Sequence, residues 1–321
     1  MEEEVRNHPL LIAVWPGMGQ VAITAGFYLM SRLHMDETEP LPSQDLFDVD
    51  QVDIKEGLVR TGRIPKTRIF RWKDATMKRD IIVLIGEAQP PAGKLAFCER
   101  LLDYAARAGV KEIYTFAAMA DDVPLRAPSH VFGVSTHPEG RERLRQANVT
   151  ILATGRITGL NGVLLGVAAQ RGFHGIGLLG QMPGLVTSIP YAKASAAVLE
   201  KFCRLTGIQI DLHELEDYGR TVENHLADAI DTLQKAVQKQ SDRAKEEAEP
   251  QEVEPETEPS PEERHHTLTE QERGQIESLF GQAARQRSKT FELKRLLDRL
   301  GVFEIYEDRF LDLFRHPPDR S

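Results

Sequence analysis

The stretch Leu10–Ala22, LLIAVWPGMGQVA, contains the pattern from which the fold of this chain can be inferred. Its opening run of apolar residues, LLIAV, indicates a strand covered on both faces, as in parallel sheets flanked by helices. The turn WPGMG follows, and the chain then continues into a helical pattern over Gln20–Leu33. A buried strand, a tight turn and a helix together predict one unit of an α/β sheet.

The same alternation of apolar runs and amphipathic segments continues to about residue 212. Runs such as IIVLI (81–85) and GIGLL (175–179) again favour strands covered on both faces. The predicted strands are Leu10–Trp15, Gly57–Val59, Ile69–Trp72, Asp80–Ile85, Glu112–Ala117, His130–Ser135, Val149–Ile151 and Gly175–Leu179. The predicted helices are Gln20–Leu33, Lys94–Ala108, Pro138–Ala147, Gly162–Arg171 and Ala192–Thr206. Helices between buried strands predict an α/β fold, a three-layer α/β/α sandwich.

The pattern changes after about residue 213. Leu226, Ile230, Leu233 and Val237 recur at helical spacing and predict one long helix. The stretch 241–264 then contains ten acidic and three basic residues, together with four prolines and almost nothing to bury. Such a composition predicts a disordered, extended acidic linker.

Helical periodicity returns in Leu268–Phe314, in three pieces. Thr269 and Glu272 have the capping-box spacing, which marks the start of the first helix. So short a segment builds only a small core, and we therefore expect this module to dock on a partner or on a neighbouring subunit. The chain thus divides into an α/β domain at residues 1–240, a disordered Glu/Pro-rich linker at 241–265 and a small C-terminal helical module at 266–321.

Charge and hydropathy argue against several classes of protein. The net charge is −9, and residues 241–264 contribute −7 of it, which leaves −2 for the remainder. A body this close to neutral has no basic field for nucleic acid. The apolar runs are too short to cross a membrane, and the N-terminal MEEEVRNHP is acidic, unlike a signal peptide. We therefore expect a cytoplasmic protein with neither nucleic-acid nor membrane partners.

The turn Gly17–Ala22, GMGQVA, fits the G-x-G-x-x-G/A fingerprint of dinucleotide sites. Such a site also needs an acidic residue at the end of a second strand, about 20 residues further on. Asp36 and Glu37 have the distance, but they follow the helix directly and no apolar strand precedes them. We therefore interpret Gly17 and Gly19 as residues that let the backbone turn tightly, at a strand end where a crevice can form.

Glu87, in GEAQPPAGK (86–94), stands at the carboxyl end of a buried strand. Such a carboxylate can act as an acid or base, can bind a ribose hydroxyl, or can hold loop amides in place. The sequence offers it no catalytic partner, so we favour the structural role. The motifs HExxH and GxSxG do not occur. We therefore assign no metal, no cofactor and no catalytic residue.

The stretch Thr154–Gly184, TGRITGLNGVLLGVAAQRGFHGIGLLGQMPG, is dense in glycine. This density indicates main chains that run close together, helix on strand or subunit on subunit. Asn161 and Gly162 precede an apolar helix whose N-terminal amides could face a pocket. The residues that we assign to a candidate pocket or interface are Pro16, Gly17, Gly19, Glu87, Gln89, Gly159, Asn161, Gly162 and Pro183.

Four blocks of this sequence occur in the same order in one known family. They are WPGMGQVA (15–22), GEAQP (86–90), GRITGLNGVLLGVAAQRGFHGIGLLGQMPG (155–184) and PYAKASAAVLEKF (190–202). Through them, residues 8 to about 240 resemble the archaeal and bacterial branch of the proteasome assembly chaperone 2 family. The resemblance implies an α/β/α sandwich like that of the purine nucleoside phosphorylases. It also implies a homotrimer or a larger ring, and we expect a trimer or a hexamer.

The function that the resemblance implies is an oligomeric protein-interaction scaffold, an assembly chaperone or adaptor without catalytic activity. Some relatives carry an older label as ATP-grasp or carboxylate–amine ligase enzymes, so the alternative is such an enzyme, a nucleoside-phosphorylase-like enzyme or a small-ligand sensor. Archaeal adaptors of this kind can end in a hydrophobic–tyrosine–any-residue tail that docks between proteasome subunits. The last residues here are HPPDRS (316–321), so we do not expect docking by that route. The C-terminal helices are instead the expected contact with another protein complex, through an apolar helix face in a groove.

Overall fold

The computed structural model of the chain describes residues 8–38, 40–48, 52–55, 57–73, 79–246 and 268–315. The strands in these residues are β1 (Leu10–Val14), β2 (Asp36–Glu37), β3 (Val52–Lys55), β4 (Leu58–Thr61), β5 (Thr67–Trp72), β6 (Ile81–Gly86), β7 (Glu112–Asp121), β8 (Val131–Ser135), β9 (Thr150–Ile151) and β10 (His174–Pro183). Within the described chain, β3 and β4 form a separate hairpin, and the other eight strands form one sheet in the order β2-β5-β6-β1-β7-β10-β8-β9. The central strands β6, β1, β7 and β10 run parallel.

Helices cover both faces of this sheet. The described residues contain α1 (Val21–Leu33), α2 (Lys94–Arg107), α3 (Pro138–Gln146), α4 (Gly159–Gln170), α5 (Ala192–Thr206), α6 (His213–Glu246), α7 (Glu270–Arg285), α8 (Thr290–Arg299) and α9 (Phe303–Asp312). Side chains of α1, α3 and α5 belong to the hydrophobic core on one face, and those of α2 and α4 belong to the core on the other face. The fold is therefore the three-layer α/β/α sandwich predicted from the sequence.

The central strand β1 shows why the apolar run LLIAV was informative. Leu10, Ile12 and Val14 point into the core on the α1 side of the sheet. Leu11 and Ala13 point into the core on the α2 side. Successive residues of a strand face opposite sides, so a strand covered by helices on both sides must be apolar at every position.

Among the elements that the structure extends beyond their predicted limits, three are extended at the edge where the candidate site was expected. β7 continues to Asp121 and β10 to Pro183, because the two strands pair in parallel register to their last residues. α4 begins at Gly159 instead of Gly162. Glycine, glutamine and asparagine interrupt the apolar pattern in the extensions of β10 and α4, which explains why periodicity alone ended these two elements too early.

The long helix α6 runs to Glu246, six residues into the stretch assigned to the linker. The remainder of that stretch, 247–265, lies outside the described residues. α7 begins with the expected capping box. The Thr269 hydroxyl accepts a hydrogen bond from the Glu272 amide, and the Glu272 carboxylate accepts one from the Thr269 amide at 2.8 Å. The sequence therefore located the start of this helix correctly.

Aromatic side chains of the module pack against the body of the same chain. Tyr28 in α1 meets Phe291 in α8 edge to face, with ring centroids 4.6 Å apart. Phe70 in β5 meets Phe314, just after α9, with centroids 5.8 Å apart. From the sequence we expected the module to dock on a partner or on a neighbouring subunit. In the structure it packs instead on α1 and β5 of its own chain, where their apolar side chains give it a core that it could not build alone.

Buried charges reinforce this contact. The Arg287 guanidinium, 5% exposed, donates to the carbonyl oxygens of His34 and Met35 at 2.9 and 2.8 Å. These carbonyls lie at the C-terminal end of α1, where the helix dipole favours a cation. Arg68 in β5, which is fully buried, donates to the Asp308 carboxylate in α9 at 2.6 Å. Aromatic packing and buried polar contacts therefore hold the module to the body.

Candidate functional site

The turn after β1 is anchored to the segment that follows β10. Gly19 has a left-handed φ of +58°, and a Cβ at this position would lie 2.7 Å from Met182 Sδ. The Gly19 amide donates to Thr187 O at 2.6 Å, and its carbonyl accepts from the Tyr191 amide at 2.8 Å. Glycine alone suits this conformation and this spacing. The Gly19 amide is also already bonded to a protein carbonyl, which removes it from any phosphate cradle.

The acidic residues that a dinucleotide site would require lie elsewhere. Asp36 and Glu37 form β2 at the edge of the sheet, with β5 and β6 between them and β1. In a dinucleotide-binding fold, the acidic residue ends the strand next to β1. The Glu37 carboxylate instead contacts Arg68 and Arg315. The geometry therefore agrees with a tight structural turn at Gly19.

Gln89 joins the turn after β1 to the start of α4. Its Nε2 donates to Pro16 O at 3.2 Å, and its Oε1 accepts from the Leu160 amide at 3.0 Å. Gly159 lies directly beside this amide, since a Cβ there would be 2.8 Å from Gln89 Oε1. The structure thus brings together three of the residues chosen from the sequence, Pro16, Gln89 and Gly159. The Gln89 amide links them through its own nitrogen and oxygen.

Glu87 lies near Gln89 in the chain but serves a different contact. Its side chain is 3% exposed, and Oε2 accepts from the Lys66 amide at 2.8 Å and from Arg63 Nη2 at 3.0 Å. Its Oε1 lies 3.5 Å from Nε of the buried Arg68. The carboxylate therefore holds the segment before β5 against the end of β6. This is the structural role that we favoured for Glu87 from the sequence.

The remaining residues of the candidate set surround the same edge without forming one cluster. A Cβ on Gly162 would lie 2.2 Å from Ile157 O, so the chain passes too close there for any other residue. Asn161 Oδ1 is buried, and no hydrogen-bond donor in the described part of the chain reaches it. Pro183 ends β10 beside Asp121. Gly17 is exposed, and nothing lies within 4 Å of the position that its Cβ would take.

The sequence analysis missed three exposed apolar side chains at this edge. Met18 is 47% exposed, and Leu185 and Ile189 are 89% and 39% exposed. They lie on the two turns that the Gly19 amide and Thr187 carbonyl join at 2.6 Å. We call these three residues the turn patch. The available signal was apolar residues in a turn that begins with glycine and ends with proline, GLVTSIP (184–190).

In the part of the chain that the structure describes, metal-ligating side chains form no cluster and neither cysteine is a reactive thiolate. No three His, Cys, Asp or Glu side chains in it lie close enough to share a metal ion. Both cysteines are free, and burial raises the pKa of the Cys98 thiol to about 12 and that of Cys203 to about 11. At neutral pH both are therefore thiols, not reactive thiolates. Among the described residues, no helix has both the length and the apolar composition that a membrane span requires.

Comparison with known proteins identifies the family of this fold. A family model, that of the PAC2 family, matches residues 11–230. PbaB of Pyrococcus furiosus, an archaeal proteasome activator, is 27% identical, with a TM-score of 0.59 over 69% of this chain and 93% of PbaB. PbaA of the same organism, an archaeal homolog of proteasome-assembly chaperone, is 23% identical and shares the fold, with a TM-score of 0.56 over 76% of this chain and 96% of PbaA.

A relative in Methanocaldococcus jannaschii, the uncharacterized protein MJ1210, is 29% identical over 226 residues, which are 70% of this chain and 83% of that protein. The module formed by α7, α8 and α9 begins after residue 230 and lies outside the residues that the family model matches. The fold, the ordered sequence blocks and a family match over more than half of the chain lead to one conclusion: this chain belongs to the PAC2 family.

Proposed function

We propose that this chain is an oligomeric, non-catalytic scaffold of the cytoplasm, which binds other proteins as an assembly chaperone or adaptor. Membership of the PAC2 family supports this proposal, and so does the likeness to PbaB, an archaeal proteasome activator. By that analogy, which rests on family and fold, the partner complex is a proteasome particle.

The turn patch is the observation on which the proposal rests. Leu185 exposes 89% of its surface and Met18 exposes 47%, on turns that hydrogen bonds hold in place. Exposed apolar side chains that lie together are a feature of surfaces that bind other proteins. Because the turns are anchored, little conformational entropy is lost when a partner covers them.

The polar groups of the candidate site also favour a scaffold over an enzyme. Catalysis by an acid and a base needs groups that are free to meet a substrate. Glu87 is 3% exposed and contacts Arg63 and the Lys66 amide. The side-chain amide of Gln89 forms backbone hydrogen bonds through both its nitrogen and its oxygen. These contacts support a structural role for both residues.

Replacing Leu185 with glutamate tests the proposal. Affinity-tagged wild-type protein and Leu185→Glu would be purified from the native cell, and the proteins that accompany each would be quantified by mass spectrometry. We expect a partner complex, with proteasome subunits among its members, to be reduced at least about tenfold by Leu185→Glu, since a charge at the centre of an apolar contact is left desolvated.

Ile305→Glu is the matched control, because Ile305 is also an exposed apolar residue, 74% exposed, but lies on α9. This variant should recover the same partners as wild type. Circular dichroism establishes that both variants are folded. Identical partner sets for wild type and Leu185→Glu would refute the turn patch as the binding surface.

Asn161 provides the corresponding test of the alternative function, because its buried Oδ1 has no hydrogen-bond donor in the described chain. Thermal unfolding would be measured with adenosine, ATP and phosphate, each over a range of concentrations. The scaffold proposal predicts no saturable rise in Tm. A saturable rise that Asn161→Ala abolishes would favour a small-ligand sensor or an enzyme.

A further inference from the structure

A groove of about 930 Å³ lies between α6, α7 and α8, and Ile189 of the turn patch and the neighbouring Pro190 also line it. The three helices contribute five apolar residues to it, which are Tyr218, Val222 and Leu226 on α6, Leu279 on α7 and Leu296 on α8. Tyr218 and Leu296 are buried, and the other three are partly exposed. The groove has an apolar floor along one long helix, the arrangement by which proteins bind an amphipathic helix of a partner.

The size of the groove suits about three turns of helix. The α6 residues that line it run from Glu214 to Leu226. At a rise of about 1.5 Å per residue, this part of α6 is about 18 Å long. α7 and α8 form the facing wall, and both lie outside the residues 11–230 that the family model matches. The groove is therefore built by the helical module together with α6.

The carboxylates that line the groove already have cationic partners. Glu292 contacts Lys289 at 2.6 Å. Asp298 forms a buried ion pair with Lys294, whose Nζ lies 2.5 Å from the Asp298 carboxylate. Glu214, the third of them, contacts Arg32. The three cations are not among the residues that line the groove. The acidic groups that line the groove are thus neutralised by cations that do not line it.

The lining arginines differ from these carboxylates. No Asp or Glu of the described chain lies within ion-pair distance of Arg295 or Arg299 in α8, although both line the groove. The Arg295 guanidinium lies 5.0 Å from the centroid of the Tyr218 ring, which orients it over the apolar floor. Arg299 is exposed. The groove therefore presents apolar surface beside two cations that lack an ion-pair partner in the described residues.

We propose that this groove binds an acidic amphipathic helix of another protein, with apolar side chains against Val222, Leu226 and Leu279 and carboxylates against Arg295 and Arg299. The proposal goes beyond the function proposed above and does not depend on it. The groove shares Ile189 with the turn patch but neither Met18 nor Leu185, and its ligand is defined by charge and helical pattern. Electrostatic complementarity of this kind selects one partner charge over the other.

Fluorescence anisotropy with designed peptides tests the proposal on the full chain. The probe is a labelled peptide of about 18 residues, with leucine at helical spacing i, i+3, i+4 and i+7 and glutamate on the flanking positions. A matched peptide has lysine in place of every glutamate. We expect saturable binding of the glutamate peptide, binding at least about tenfold weaker for the lysine peptide, and weaker binding of the glutamate peptide as salt is raised.

The double variant Arg295→Glu/Arg299→Glu should exchange these preferences. We expect it to bind the glutamate peptide at least about tenfold more weakly than wild type does, and to bind the lysine peptide better than wild type does. Arg273→Glu is the matched control, because Arg273 is an exposed arginine of α7 that does not line the groove, and it should change neither affinity. If the double variant is not folded by circular dichroism, Leu226→Ala replaces it and should weaken binding of the glutamate peptide.

Equal binding of the two peptides by wild type, or the same affinity in wild type and in a folded double variant, would overturn the proposal. The acidic stretch 246–263 of this chain is a competing occupant with the same charge. A full-length variant with every glutamate of that stretch changed to glutamine distinguishes the two. If this variant binds the glutamate peptide and wild type does not, the occupant of the groove is the chain's own acidic segment and not a helix of another protein. Neither result would change the effect expected of Leu185→Glu, so the two proposals fail independently.

Discussion

At the scale of single residues, the Glu112 carboxylate at the start of β7 is a buried charge with three hydrogen-bond partners. It is 1% exposed and accepts from Arg79 Nη2 at 2.6 Å, from the Tyr114 hydroxyl at 2.9 Å and from Arg143. Burial by itself would raise the pKa of Glu112, but the ion pairs with Arg143 and Arg79 outweigh it and hold this pKa below its usual 4.5. These contacts join β7 to the segment before β6 and to α3.

Glu112→Gln should therefore destabilise the fold, because it leaves two largely buried arginines without their countercharge. We expect a loss of about 3 kcal/mol in the free energy of unfolding at pH 7, measured by urea denaturation. Glu142→Gln is the control. Glu142 pairs with Arg145 on the exposed side of α3, and its loss should cost less than about 0.5 kcal/mol.

The pH dependence of the unfolding free energy of wild type and of Glu112→Gln gives a second test. Because the folded-state pKa of Glu112 is lowered, its ion pairs contribute fully above pH 4.5 and lose their effect as the pH falls through the folded-state value. The difference in unfolding free energy between wild type and Glu112→Gln should thus be constant near neutral pH and should shrink below about pH 4.5. A difference that stays constant into the acid range would contradict the ion-pair explanation.

At the scale of elements, α1 and the helical module form one packing unit. Every residue of α1 except Arg32 is buried, although only part of a helix can face the sheet. The module covers a further side of it, where Phe27 meets Phe303 and Phe310 with ring centroids 5.4 and 5.3 Å apart. A helix buried on nearly all sides needs cover from several elements. The module is therefore part of the core of this chain.

Phe291→Ala tests whether module and body unfold together. Phe291 is 1% exposed and packs on Tyr28 of α1, so its truncation should cost about 3–5 kcal/mol. Hydrogen exchange should then become faster both in α8 and in α1, residues 21–33. Ile305→Ala, at a side chain 74% exposed, is the control and should change exchange little. Faster exchange in the module alone would mean that the body is stable without it.

At the scale of the whole molecule, one described element has no cover on its apolar face. In the β3–β4 hairpin, Ile54 and Val59 are direct cross-strand partners on the same side, and they are 73% and 69% exposed. Val52, two residues from Ile54 and hence on that side too, is 56% exposed. An isolated two-stranded hairpin is marginally stable in water, so a neighbouring copy of the chain is the cover that we expect.

Light scattering coupled to gel filtration should then give a mass three or six times the 36.1 kDa of one chain. Ile54→Lys/Val59→Lys should lower this mass, since lysine on the hairpin would oppose burial between subunits. Leu95→Lys, at an apolar residue 59% exposed on α2, is the control and should leave the mass unchanged. A monomeric wild-type protein would contradict the oligomeric part of the proposed function.

The layers of the fold were predictable because they depend on local burial. The apolar run Leu10–Val14, the helix Val21–Leu33 and the capping box at Thr269 each carry their signal within a few consecutive residues. The family resemblance likewise depends on the order of short blocks along the chain. For the candidate site, Pro16, Gln89 and Gly159 were chosen as residues at strand and helix ends, and topology brings such ends to one edge of the sheet.

Contacts between distant segments were not predictable in this way. Met18 and Leu185 share a surface because the Gly19 amide happens to meet the Thr187 carbonyl, and neither local pattern encodes that bond. The different contacts of Glu87 and Gln89 likewise depend on Arg63 and the Lys66 amide, which reach Glu87 from the segment between β4 and β5. Periodicity in the sequence reports which face of an element is buried. It does not report which surfaces meet in three dimensions. The ion pairs, the exposure of the turns and the packing of the module on α1 all depend on those meetings.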